Sequence, residues 1–324
     1  MEFLNKYHDE LARGLEESVG VRQPDRLYEP VRYILSIGGK RIRPALTLMV
    51  CDFLSGDYKK ALPAALAVEM FHNFSLMHDD IMDEAPLRRG KQSVHEKWDL
   101  NTAILSGDAM LILAYRLFEG YDPEKFRDLA KLFSETALQV CEGQQLDIDF
   151  ESRDDVEVVE YLKMIEQKTA VLLGAAMEMG AIVAQASEAQ KRVVYEFGKN
   201  LGIAFQLQDD YLDVFGDPET FGKQVGGDII ANKKTYLYLM ALKKGSPDHQ
   251  KELAHLFSIS PSDSRDKIKR VEEIFVESGS AEATSLAIEN YSNKAFAIID
   301  KMNVSDQKKA LFIKFGQDLM ERKF

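Results

Sequence analysis

Cysteine is scarce in this chain: Cys51 and Cys141 are the only two among 324 residues. Both stand in apolar helical context, which predicts buried, reduced thiols and a cytoplasmic setting. No leader peptide is expected, because Met1 to Asn5 runs straight into the acidic, amphipathic stretch Lys6 to Ser18. Long apolar runs are missing too. The most apolar one, Ala170 to Ala186, is interrupted by Glu178 and is short for a span, so it reads as a core helix with no transmembrane segment. Positive charge is in deficit, with 41 Lys and Arg against 53 Asp and Glu, a net charge of −12. That balance argues against nucleic acid as a partner, since a phosphate-tracking surface should be basic. An anionic substrate would have to be drawn in locally, by metal and by clustered Arg and Lys. Strand signals, flexible linkers, low-complexity tracts and short repeats are lacking as well, which favours one large domain over residues 1–324.

What remains is helical. Ala, Leu, Glu, Lys, Met and Gln dominate, and nearly every segment scans at helical period, so an all-α fold is expected. Helical pattern runs from about Glu2 to Ser18, again after Pro24, and from Tyr58 to Asp83. It resumes from Asn101 to Phe118 and from an Asp122-Pro123 cap to Asp147. One long helix is expected from Asp154 to Ala186, where Gly174, Gly180 and many alanines predict close helix packing. Another spans Glu188 to Val214, and further helices fill Lys234 to Phe324. Leu87 to Trp98 reads as irregular. Phe215 to Asn232, with four glycines and a proline, is the longest loop and a natural lid.

The chain is organised around Phe71 to Lys91. Asp79, Asp80 and Asp83 crowd one end of a helix face, a like-charge arrangement that costs roughly 0.2–0.5 kcal/mol per pair unless a cation intervenes. Arg88 and Arg89 follow directly after Pro86. A single cluster of this kind is most simply a solvated acidic helix end followed by a basic turn. The spacing, however, recurs in Asp209, Asp210 and Asp213, again behind an apolar helical run. Two such triads facing each other call for divalent cations, and all-oxygen ligands favour Mg²⁺ ahead of Mn²⁺ or Ca²⁺.

The paired Asp-Asp-x-x-Asp triads, the first followed by Arg88-Arg89-Gly90, closely resemble those of the trans-prenyl diphosphate synthases. Smaller motifs follow in that family's order from Gly38 to Lys233: Gly-Gly-Lys-Arg-Ile-Arg-Pro at Gly38 to Pro44, His72, Gly-Gln-x-x-Asp at Gly143 to Asp147, Lys168-Thr169, Phe205-Gln206, Gly222-Lys223 and Asn232-Lys233. The strongly basic C-terminus of some members is replaced here by Arg322-Lys323-Phe324.

The resemblance implies the isoprenoid synthase fold, with a central apolar cavity between helices, and a homodimer. It implies a Mg²⁺-dependent prenyltransferase, with Mn²⁺ as a substitute, that adds isopentenyl diphosphate to an allylic diphosphate through a carbocation. Asp79, Asp83 and Asp209 would hold metal, with Asp80, Asp210 and Asp213 orienting ligands or waters. Lys40, Arg43, His72 and Arg89 would hold isopentenyl diphosphate. Arg88, Gln144, Lys168, Thr169, Lys223 and Lys233 would hold the allylic diphosphate, and oxygens near Lys168, Thr169 and Gln206 would face the cation. Phe74, with Phe71 one turn deeper and Ser75 beside it, would set the cavity floor and favour a twenty-carbon product, geranylgeranyl diphosphate, ahead of farnesyl diphosphate. Other readings are a terpene cyclase, which would lack the second intact triad and the Lys40, Arg43 and His72 set, and a non-catalytic partner subunit, in which damaged triads would be expected.

Overall fold

The computed structural model describes residues 4–217, 225–302 and 304–321. Lys223 and the terminal Arg322-Lys323-Phe324 lie outside the described residues. Among the described residues the fold is all-α apart from one two-stranded ribbon.

Helix α1 (Asn5–Val19) shows why the elements form. Tyr7, Leu11, Leu15 and Val19 recur every four residues and are all buried. Helices α2 (Asp25–Ser36) and α3 (Ile42–Ser55) follow, then a 3₁₀ turn at Tyr58–Ala61 and α4 (Leu62–Met82). Pro63 sits in the first turn of α4, where its missing N–H costs nothing. The stretch expected to be irregular holds the ribbon β1 (Leu87–Arg88) and β2 (Lys91–Gln92), and a short helix α5 (Val94–Lys97). Next come α6 (Leu100–Arg116), capped by Asp99, and α7 (Pro123–Ser152), capped by Asp122 through the Lys125 N–H at 3.0 Å.

The single helix expected from Asp154 to Ala186 is instead three pieces. Helix α8 (Val158–Ile165) passes through a π turn at Glu166–Ala170 into α9 (Val171–Val183). Period alone cannot reveal this break, because the apolar pattern continues across it. Helix α10 (Glu188–Phe215) opens on a Ser187–Gln190 capping box. The remaining helices are α11 (Gly227–Ile230), α12 (Tyr236–Lys244), α13 (Pro247–Leu256), α14 (Arg265–Glu277), α15 (Ser280–Ile299) and α16 (Asp306–Met320).

Helix α10 lies at the centre, packed along α9 and α15, while α4 packs on α6 and α3. Two apolar clusters meet along α10, which gives Phe197 and Leu201 to one and Ile203 and Leu207 to the other. No helix among the described residues is long and apolar enough to cross a membrane. Cys51 is buried as expected. Cys141 is exposed, contrary to expectation, because its face of α7 lines a cavity and does not enter the core.

The glycines of α9 do allow close packing. A Cβ on Gly180 would lie 2.2 Å from the Thr47 carbonyl oxygen of α3. Because that neighbour is backbone, relief requires a helix shift. Gly180→Ala is expected to destabilise the fold by about 1–3 kcal/mol, as overpacking typically does. Urea unfolding would show this as a lower midpoint at an unchanged slope. An unaltered midpoint would mean that α3 and α9 are not in rigid contact.

Candidate active site

The end of α4 and the last turns of α10 deliver the two aspartate triads to one place. Asp79 and Asp209 line the same cavity, of about 500 Å³. The other four acids differ from one another. Asp80 is buried and accepts from the Arg88 guanidinium, whose Nε lies 2.9 Å from one carboxylate oxygen. Burial pushes the Asp80 carboxyl up, against the pull of Arg88. Asp83 sits at the helix terminus, raised by partial loss of water and by the Asp79 carboxylate. Asp210 is buried and pushed well above the usual range by desolvation and by Asp228, and it accepts hydrogen bonds from Tyr161 and from Gln206 at 3.1 Å. Asp213 accepts the Asp228 backbone N–H at 2.9 Å, and so ties α11 to α10. The six acids therefore do not face one another as equals.

The π turn places the next residues. Lys168 Nζ reaches Asp147 Oδ2 of α7 at 2.5 Å and stands 3.6 Å from Asp79 Oδ1. Thr169 Oγ1 donates to Gln206 Oε1 at 3.3 Å. A Cβ on Gly143 would fall 2.2 Å from the Lys168 backbone nitrogen, so only a glycine lets α7 approach this turn. π turns often mark functional sites, and here the turn carries both expected residues. Lys233 lies beside Asp228, Asp147, Asp83 and Asp79. Burial works against its charge, yet those four acids hold its pKa above the ordinary value.

Arg88 and Arg89 part company at the ribbon turn. Arg89 and Gly90 have φ of 51° and 75°, the two positive values that a two-residue hairpin turn requires. The turn sends Arg88 to Asp80. It sends Arg89 towards Gly39, where a Cβ would meet the guanidinium Nη1 at 2.5 Å. A second pocket of about 480 Å³ opens there, lined by Lys40, Arg41, Arg43, His72, Arg89 and Glu69. All four expected residues meet in it. Arg43 Nη1 lies 3.4 Å from His72 Nε2. Burial, then Arg43 and Arg89, hold the His72 imidazole well below its usual pKa, so it is neutral and can accept from Arg43. Arg43, His72 and Phe205 line both pockets.

Below the triads the large cavity is apolar. Phe71, Phe74 and Ser75 of α4 line it, together with Val140 and Ile148 of α7 and Leu172 of α9. Phe71 is 1 % exposed and packs edge-on against Phe133 at 5.2 Å, so it is core as well as wall. Gln144 Nε2 is buried without a hydrogen-bond partner on this wall.

Among the described residues, no three acid, histidine or cysteine side chains converge closely enough to hold an ion by themselves. The donors nonetheless fit a hard cation that shares substrate oxygens. Asp79 Oδ1 is buried and accepts no hydrogen bond. Sequence reasoning missed Tyr161, Asp147 as the Lys168 partner, Arg41, Glu69 and His78. Tyr161 stands seven residues before Lys168, and Asp147 closes the Gly-Gln-x-x-Asp motif; both offered a signal. Arg41 stood inside the Gly38 to Pro44 motif, while Glu69 and His78 offered no signal beyond their nearness to the motifs.

A family model described as Polyprenyl synthetase matches residues 24–275. The geranylgeranyl diphosphate synthase of Methanosarcina mazei is 41% identical over 234 residues, 72% of each chain. A crystal structure of a geranylgeranyl pyrophosphate synthase superposes with a TM-score of 0.95 at 52% identity, covering 98% of both chains. A geranylgeranyl pyrophosphate synthase from Corynebacterium glutamicum, complexed with isoprenyl diphosphate and magnesium, gives a TM-score of 0.87 at 26% identity and covers 98% of this chain and 99% of that one.

The neutral His72 has a measurable consequence. Below its ordinary value of 6.5 the unfolded chain binds a proton that the folded one refuses. Its contribution to stability is present above that value and is lost as pH falls, by up to about 1.4 kcal/mol per pH unit. Unfolding midpoints at pH 7.5 and 5.5 are expected to differ less for His72→Gln than for the parent. Equal pH dependence in the two proteins would show that His72 takes up its proton as readily in the fold as in the unfolded chain.

Proposed function

The chain belongs to the polyprenyl synthetase family and is a prenyltransferase, and we propose that it joins isopentenyl diphosphate head-to-tail to an allylic diphosphate and releases geranylgeranyl diphosphate. One observation carries this reading. An acid-lipped apolar cavity and a cationic pocket share the wall formed by Arg43, His72 and Phe205. An allylic tail in the first and a diphosphate in the second bring their reacting carbons together at that wall.

Asp79, Asp83 and Asp209 are the residues that would hold divalent metal, Mg²⁺ with Mn²⁺ as a substitute. Metal bound there supplies charge neutralisation for the departing diphosphate. The chain's own residues do the rest. Arg88, Lys168 and Lys233 grip the allylic diphosphate, with Gln144 offering its unpaired amide donor. Lys223 has the same assignment by its motif, although it lies outside the described residues. Asp80 and Asp210 orient their neighbours: the first fixes Arg88, the second fixes Gln206. Asp213 anchors the segment that leads to Lys233.

The allylic carbon–oxygen bond breaks and its electron pair leaves with the diphosphate. The cation that remains faces the oxygens of Thr169 and Gln206 and the apolar walls, which exclude water. The double bond of isopentenyl diphosphate, held by Lys40, Arg43, His72 and Arg89, attacks the cation. A proton then leaves the adjoining carbon for the released diphosphate, since the His72 imidazole at that wall is already engaged by Arg43. Half-buried, neutral His72 accepts from Arg43, which aims the guanidinium at the isopentenyl diphosphate.

The tail descends along α4. Phe74 stands five residues before Asp79 and Phe71 eight, about 7.5 and 12 Å down the helix. Phe74 and Ser75 set the depth, and the Methanosarcina relative is named for the twenty-carbon product. Exposed Leu105 and Ile112 on α6 and Leu138 on α7 provide apolar surface for a homodimer.

Incubation with isopentenyl diphosphate, farnesyl diphosphate and Mg²⁺ is expected to give the twenty-carbon diphosphate as the main product, and EDTA should abolish it. Asp79→Ala and Asp209→Ala should each lower turnover by about two to three orders of magnitude, the scale of a lost electrostatic catalytic group. Failure to consume isopentenyl diphosphate would refute the reading. Near-parental rates in either variant would refute the assigned metal residues.

A further inference from the structure

His78 lies between the first triad and the tail cavity, yet neither the metal site nor the diphosphate grip uses it. Its ring packs on Phe74 with centroids 4.7 Å apart and planes tilted by 60°. On the far side Nε2 stands 3.3 Å from the Ile104 carbonyl oxygen of α6. Behind it is Gly107, where a Cβ would fall 2.2 Å from Nε2 and 2.5 Å from Cδ2. The absent side chain at Gly107 is the space that the imidazole fills. Phe74 and His78 both line the cavity, and Phe71 supports Phe74 from below at 5.6 Å.

We propose that His78 is a specificity-determining residue, a brace seated in the Gly107 notch of α6 that fixes the Phe74 ring across the cavity and so sets product length. The proposal rests on the reading that Phe74 bounds the tail. The physical reason is rotational. Phe74 has apolar room on the cavity side, and a ring held only by the cavity could swing aside as the tail grows. Contact with His78, itself hydrogen-bonded to α6 backbone and backed by a glycine, removes that freedom. Removing the brace gives the ring the vacated notch to move into. Filling the notch has the opposite effect, because a methyl at Gly107 displaces the imidazole away from α6, towards Phe74 and the tail.

The two changes are therefore expected to shift length in opposite directions. His78→Ala should raise the ratio of twenty-five- to twenty-carbon product about tenfold, the scale on which a pocket discriminates by a small change of volume. Gly107→Ala should raise the ratio of fifteen- to twenty-carbon product by a similar factor when geranyl diphosphate is the primer. The Gly107→Ala/His78→Ala double variant, whose methyl refills part of the notch, should lie closer to the parent than His78→Ala does. Products would be separated by chain length after phosphatase treatment, with folding of each variant checked by circular dichroism. Phe74→Ala serves as the reference and should lengthen the product.

If Phe74→Ala lengthens the product while folded, active His78→Ala keeps the parental distribution, the brace is refuted and the floor stands. If Phe74→Ala also leaves length unchanged, the underlying reading of the cavity floor falls with it. Should Gly107→Ala not fold, the His78→Ala product ratio decides alone.

Discussion

Carboxylates from two helices meet at the mouth of an apolar cavity, and their mutual repulsion is the constraint to which the surrounding structure answers. In the partly desolvated cleft this repulsion is far stronger than in water. Each acid is dealt with separately. Arg88 takes Asp80 with a two-toothed grip, Tyr161 and Gln206 hold Asp210, and a backbone N–H holds Asp213. Lys168 and Lys233 lie among the rest. Asp79 Oδ1 is left buried without a hydrogen bond. That is the arrangement a cation bridged to substrate phosphates needs, since Mg²⁺ ordinarily takes few protein ligands.

The same economy explains the local irregularities. The π turn at Glu166–Ala170 interrupts a core helix, and it does so where Gly143 lets α7 come within contact of Lys168. A regular helix would carry Lys168 and Thr169 on a different face from the one that meets Asp147 and Gln206. The ribbon turn at Arg89 and Gly90 is a second case. Its positive φ values separate adjacent arginines, one to the Asp80 carboxylate and one to the cationic pocket. The proposed division of two diphosphates between these places would then rest on backbone geometry as much as on residue type.

Much of this was legible in the sequence, and the reason is covalent. Residues three and four apart on a helix must share a face, so the two triads, and with them Asp79 and Asp209, could be placed without a structure. Lys40, Arg43, His72 and Arg89 were grouped by resemblance, and the fold brings them into one pocket. Partners carried by separate elements were not legible. Tyr161 meets Asp210 from α8, and Gly107 receives His78 from α6, contacts that no spacing encodes. The break at the π turn was hidden because apolar periodicity runs through it. Cys141 was misread because an apolar face lining a cavity has the same pattern as one buried in a core.

The proposed function needs a metal-dependent diphosphate site at the triads and a metal-free one at Lys40, Arg43, His72 and Arg89. Calorimetric titration with an unreactive allylic thiodiphosphate, in Mg²⁺ and then in EDTA, tests that separation most directly, with isopentenyl diphosphate titrated in parallel. The thiodiphosphate is expected to bind at least about 100-fold more weakly without metal, roughly 2.7 kcal/mol, while isopentenyl diphosphate keeps its affinity. Equal binding of the allylic analogue in Mg²⁺ and EDTA would contradict the account.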